Sequence, residues 1–160
     1  MEKNFTHLNA AGNPTMVHIG DKQITRRTAR ARSVVVLSAA VLQLLEAGDI
    51  RSPKGPVFQT AIIAGVLAAK KTGDLIPLCH PIGLDHCQID IYINEAQEVV
   101  IDCTTSVLAK TGVEMEALTG ASIAALTIYD MCKALSSDII IKETKLMEKT
   151  GGKQDFKRVS

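Results

Sequence analysis

The chain has no tryptophan, two tyrosines and three phenylalanines in 160 residues. Its core must therefore be aliphatic, and an RNA-binding sheet, which stacks bases on exposed aromatics, has little to work with. An excess of one charge is missing too. Eighteen Lys and Arg against 17 Asp and Glu leave a formal net charge of +1, which argues against a nucleic-acid coat protein. No apolar run reaches the ~20 residues of a membrane span. The N-terminal MEKNFTHLNA has no signal-peptide hydrophobic stretch. Cys79, Cys87, Cys103 and Cys132 lack the spacing of a disulfide scaffold, so a reducing, cytoplasmic setting is expected. Neither a GxxxxGK[S/T] loop nor a GxGxxG fingerprint occurs, which sets aside both standard glycine-rich nucleotide folds.

What is present is 46% hydrophobic residues in a length that suits one domain, 1–160, able to bury about 70% of its unfolded surface. Residues 1–23 read as a flexible N-terminal arm, and 150–160 as a flexible tail around Gly151-Gly152. From 24 to 38 the chain alternates, with Arg26, Thr28, Arg30 and Arg32 on one side and Ala29, Ala31, Ser33 and Val35 on the other. That is a strand with one packed and one wet face. A row of guanidinium groups is usually a solvated edge, though guanidinium also suits phosphate. A short helix is expected over 39–47, then a turn holding Lys54 between Pro53 and Pro56, then a helix over 57–72. The run 75–82, LIPLCHPI, is broken twice by proline and reads as rigid extended chain. A hairpin follows over 85–94 and 98–108, then a long helix and a last strand over 139–146. Strand, helices, two strands, helix, strand is the split βαβ order: an α+β domain with a four-stranded antiparallel sheet and helices on one face.

The densest signal is KTGVEMEALTGASIAALTIYDMCKAL, Lys110 to Leu135. Strong helix formers fill it. Glu114 and Glu116 suit the positive end of a helix dipole, and Lys133 the negative end. One stripe, Met115, Leu118, Ser122, Ala125, Tyr129 and Cys132, can bury against a sheet. The neighbouring stripe, Glu116, Thr119, Ile123, Leu126, Asp130 and Lys133, has an apolar middle and charged ends. Asp130 and Lys133, three apart, are neighbours on the helix surface. The commonest meaning of such a pair is a solvated ion pair. Glu116 and Asp130 are about 21 Å apart along the axis, so one helix cannot bring both to one small substrate, whereas a second copy could. Crowding by another cation, with Lys54 the obvious candidate, would lower the pKa of Lys133 and make it a usable base.

Two Cys and two His between positions 79 and 87 raise the question of zinc, but adjacent ligands diverge in extended chain, and small buried thiols are the plainer reading. Thr6-His7-Leu8-Asn9, Lys54-Gly55, LIPLCHPI and above all KTGVEMEALTGASIAALTIYDMCKA resemble the cyclic pyranopterin monophosphate synthase family of molybdenum cofactor biosynthesis, over about residues 6–156. The resemblance implies a ferredoxin-like subunit in a cytoplasmic homohexamer, a trimer of dimers with active sites at the dimer interface. It implies conversion of (8S)-3′,8-cyclo-7,8-dihydroguanosine 5′-triphosphate, supplied by a radical enzyme, to cyclic pyranopterin monophosphate and diphosphate. By motif match Asp130 is catalytic, with Lys133 and Lys54 as cationic partners. Leu78, Cys79, His80, Met115 and Glu116 match substrate-contacting segments, and Glu114, Arg27 and Lys149 fall near the same pocket. No resident cofactor or metal is implied, and Mg²⁺ accompanying the triphosphate stays open. His18 departs from the pattern, which would have an acidic residue there. Two readings from other classes compete: a nucleotide-sensing module without turnover, and a zinc-stabilised interaction domain.

Overall fold

A computed structural model gives residues 7–159; residues 1–6 of the expected arm, Thr6 of the N-terminal motif among them, and Ser160 of the tail lie outside the described residues. Strand β1 (Thr25–Val36) is the middle of the sheet. Its alternation is as expected: Ala29, Ala31, Ser33 and Val35 are buried, while Arg26 is exposed and Arg30 and Arg32 are half-buried. Strands β5 (His86–Ile93) and β6 (Val99–Ala109) form the hairpin, and β6 lies antiparallel to β1. On the other side of β1 runs β7 (Ile140–Thr150), also antiparallel, with irregularities between Arg30 and Ala31 and between Val34 and Val35. The sheet has five strands, not the expected four. Its order is β5-β6-β1-β7-β8, and the addition is β8 (Phe156–Lys157), from the segment read as a tail, which pairs with Glu148 and Lys149.

Helix α2 (Val57–Lys70) packs against β5, and α4 (Glu114–Cys132) against β1, β6 and β7, so both cover one face while touching each other along their length. Their closeness comes from missing side chains. A Cβ on Gly65 would stand 2.8 Å from the Gly120 carbonyl oxygen, and one on Gly120 would stand 3.3 Å from the Gly65 carbonyl oxygen and 2.6 Å from Cys103 Sγ of β6. The buried face of α4 is accordingly centred on Ala117, Ala121, Ala124 and Ile128, each 0% exposed. This corrects the expected face in part: Ala125 and Cys132 are buried as expected, but Met115 is exposed and Leu118, Ser122 and Tyr129 are only half-buried. Hydrophobicity favours the larger side chains, but the approach of α2 selects the smallest ones.

The expected helix over 39–47 stops early, as α1 (Ala39–Leu42). Ala47 and Gly48 both take positive φ, 51° and 82°, and make a two-residue turn of the kind that joins hairpin strands. The turn connects β2 (Leu45–Glu46) to β3 (Asp49–Ser52), and a second tight turn at Pro53-Lys54 leads to β4 (Gly55–Pro56). This three-stranded ribbon was not foreseen. Asp49 ties it down: its carboxylate accepts from the N–H groups of Ile50, Phe58 and Gln59. It thereby satisfies orphan donors of α2, whose own cap residue, Pro56, makes no side-chain bond. After α2 a short helix, α3 (Thr72–Leu75), precedes the proline-broken run, which has no strand. No helix among the described residues is long and apolar enough to cross a membrane.

Candidate active site

Both ends of α4 carry chemistry. At its C-terminal end Asp130 takes two ammonium groups, Lys54 Nζ at 2.8 Å from Oδ2 and Lys133 Nζ at 2.8 Å from Oδ1. Lys54 also donates to the Asp130 carbonyl oxygen at 3.2 Å. Lys54 gets there because it sits at the tip of the β3–β4 turn. Ser52 Oγ accepts from the Lys54 N–H and donates to the Gly55 carbonyl, and Gly55 adopts φ 112°, a conformation open to glycine. All three side chains are about half exposed. The hydrogen bonds from Lys133 and then Lys54 hold the Asp130 carboxyl down at about 2. Lys133 itself is raised, by its bond to Asp130. The depression expected from Lys54 is absent: Lys54 addresses the other carboxylate oxygen, and the hydrogen bond and charge of Asp130 raise Lys133 instead.

At the N-terminal end a cleft of about 230 Å³ gathers Leu78, Cys79 and His80 from the proline-broken run and Glu114, Met115 and Glu116 from the first turn of α4. His7, Ile82, Thr111 and Gly112 complete its wall. A Cβ on Gly112 would fall 1.9 Å from a carboxylate oxygen of Glu114, so glycine there lets that carboxylate fold back over the turn. Glu116 is 3% exposed. Burial pushes its carboxyl up, and the charge of Glu114 adds to this. Burial and then Glu116 likewise push the Cys79 thiol up. Lys149, delivered by β7, reaches Glu114 at 3.1 Å. His80 Nε2 lies 2.7 Å from the Val17 carbonyl oxygen of the arm.

Of the residues proposed from sequence, Asp130, Lys133 and Lys54 come together at one end, and Leu78, Cys79, His80, Glu114, Met115, Glu116 and Lys149 at the other. Arg27 lies on β1 beside the second group, 3.5 Å from each of the carbonyl oxygens of Ala109 and Lys110, with its guanidinium against Gly152. One copy of the chain does not join the two ends. His7 was overlooked as a wall residue although it stands in the Thr6-His7-Leu8-Asn9 motif, and the Val17 carbonyl left no signal because a backbone atom has none in sequence.

The arginine row resolves differently. Arg32 makes a two-pronged pair with Asp102, both contacts 2.8 Å, and donates to the Tyr92 hydroxyl at 3.1 Å. Arg30 is 3.6 Å from Asp102 and 3.9 Å from Glu148. These guanidinium groups are already neutralised by the sheet. All four cysteines are free, with Cys103 and Cys132 buried. Among the described residues no three His, Cys, Asp or Glu side chains are grouped to hold a metal ion. A larger cleft, about 330 Å³, opens beside β8, but Lys149 is its one member from the proposed set.

The MoaC family model matches residues 16–152. A cyclic pyranopterin monophosphate synthase of Xanthomonas campestris pv. campestris is 55% identical over 152 residues, covering 95% of this chain and 92% of that protein. Molybdenum cofactor biosynthesis protein 1 of Dictyostelium discoideum is 50% identical over 178 aligned positions, covering the whole of this chain but 28% of that longer protein. The molybdenum cofactor biosynthesis bifunctional protein of Synechocystis is 52% identical, covering 94% of this chain and 45% of its own length.

Proposed function

The chain belongs to the MoaC family and is a lyase that makes cyclic pyranopterin monophosphate for the molybdenum cofactor, and we propose that it does so at a site to which two copies contribute. The substrate is (8S)-3′,8-cyclo-7,8-dihydroguanosine 5′-triphosphate and the second product diphosphate. Forming a cyclic monophosphate in this way has a sugar hydroxyl oxygen attack the α-phosphorus while the bond to the β-phosphate oxygen breaks. Diphosphate carries the charge away, so cations must face it. Lys54 and Lys133 supply them beside Asp130, with Lys149 and Arg27 supplying further cations near the other end of the helix.

Asp130, ionised throughout the neutral range, holds both ammonium groups in place and can accept a proton. Glu116, buried and with its carboxyl raised, is suited to carry one, and His80 can exchange one with the purine-derived ring. The observation that carries the reading is the division of these groups between the ends of a 19-residue helix. The cleft of about 230 Å³ is also smaller than the roughly 300–1,000 Å³ of sites that enclose a drug-sized ligand. Between the ends α4 exposes Leu126, and α2 exposes Ile63 and Leu67. A twofold contact across this face would lay one copy's Asp130 end near its partner's Glu116 end. The assembly in our reading is a homohexamer of three such dimers, each subunit ferredoxin-like in topology, in the cytoplasm. No resident cofactor is required, and turnover with and without a chelator tests for Mg²⁺ on the triphosphate.

The test is incubation with the cyclised triphosphate, following diphosphate and pterin product. Wild type is expected to yield both and Asp130→Asn at least about 100-fold less. Equal rates would remove Asp130 from the chemistry. Binding without product in wild type would favour a nucleotide sensor.

A further inference from the structure

The N-terminal arm touches the site at His80. His80 Nε2 is 2.7 Å from the Val17 carbonyl oxygen. A carbonyl oxygen only accepts, so Nε2 must carry the hydrogen, whether the ring is neutral or charged. In the neutral ring this leaves Nδ1 as the nitrogen with a free lone pair. Three residues further on, Lys110 Nζ donates to the Gly20 carbonyl at 2.6 Å. Lys110 opens the turn that leads into α4, next to Thr111 and Gly112 of the cleft wall. The arm is thus fastened on both sides of the cleft, to His80 and to the turn before the helix.

The arm is shaped for this locally. Asn9 Oδ1 accepts from the N–H groups of Ala11 and Asn13, and Leu8 bridges to Pro14. This closes a small loop that brings His7 into the cleft wall. The His18 ring folds onto Gly20, where any Cβ would lie 2.7 Å from its Nε2.

We propose that segment 16–20 is a positioning strap: Lys110 holds it across the cleft, and its Val17 carbonyl keeps His80 in the Nε2–H form with Nδ1 available for proton exchange. This rests on the assignment of His80 to the site. Lys110 is then a positioning residue, acting through the arm without touching substrate.

The experiment uses the full chain with ¹⁵N-labelled histidine, reading the His80 ring nitrogens by long-range proton–nitrogen NMR alongside steady-state kinetics with the cyclised triphosphate. Wild type should show a single Nε2–H pattern. Lys110→Met, and separately a two-glycine insertion after Ile19, should broaden or mix that pattern. Both should lower kcat about 10-fold with KM within about twofold, and Lys110→Arg should restore both readouts. Wild-type ring signals in both altered chains would overturn the proposal, as would altered signals with unchanged kcat. Full activity in His80→Ala would remove His80 from the site and the strap's purpose with it. Failure of the strap alone leaves His80→Ala inactive.

Discussion

Glu116 and Asp130 sit on the same helix, fourteen residues apart, and the protein treats their carboxyl groups in opposite ways. Near the N-terminus of α4, Glu116 is 3% exposed and its carboxyl is raised by burial. At the C-terminus, Asp130 is about half exposed and is drawn down by two ammonium groups. The first end is a concave cleft built by one chain from three segments. The second is an open pad of charge whose three side chains are each about half exposed. Desolvation prepares one group to keep a proton, and ion pairing prepares the other to do without it. A proton shuttle needs both kinds, and the helix keeps them too far apart to serve one molecule unaided.

Mixing inactive chains gives the largest effect by which that contrast can be broken. Asp130→Asn and His80→Ala spoil opposite ends, so chains carrying either one should be inactive alone. Co-assembled in equal amounts they should regain roughly a quarter of wild-type activity, because half of the dimers are mixed and one of their two sites is intact. No recovery in demonstrably mixed assemblies would mean that each copy builds its site unaided.

A smaller effect lies at the buried end. The folded-state value of Glu116 is above its unfolded one, so the folded chain holds that proton more tightly. The stability this confers at acid pH is lost as pH rises from the ordinary glutamate value near about 4.3 through the raised folded value. Glu116→Gln cannot ionise and escapes the loss. Its Tm should match wild type near pH 4 and exceed it at pH 8, each kcal/mol being worth about 2–4 °C in a domain of this size. An equal gap at both pH values would show that the ionisation of Glu116 is not what costs stability.

The smallest effect is at the exposed end. Lys133→Met should raise the Asp130 carboxyl from about 2 toward the ordinary aspartate value, stopping short because Lys54 still addresses it. A carboxyl-resolved NMR titration reads this directly. An unmoved Asp130 would mean that Lys54 alone sets it, while Tm should stay at its wild-type value since the pair is open to solvent.

How much could be read before any fold was known depended on whether the cause was local. Alternation along 24–38 and helical content after Val113 are written in consecutive residues, and both elements formed within a few positions of expectation. The α+β order follows from them. Helix spacing singled out Glu116, Asp130 and Lys133, with Lys54 as a neighbouring cation, and the family resemblance supplied the rest of the list of site residues. The ribbon over 45–56 escaped notice because its anchor, Asp49, caps a helix that begins eight residues later. The fifth strand escaped because two residues have no periodicity to detect.

The sequence by itself determined the strands, the long helix and the unlike groups placed at its two ends, since period and spacing act between near neighbours. Tertiary structure alone decided which face of α4 is buried, for that depends on Gly65 approaching Gly120. It also decided that Arg30 and Arg32 are consumed by Asp102 and Glu148, and that Glu116 loses water while Asp130 keeps it. Burial and pairing are properties of what surrounds a residue, and those surroundings come from parts of the chain tens of residues away.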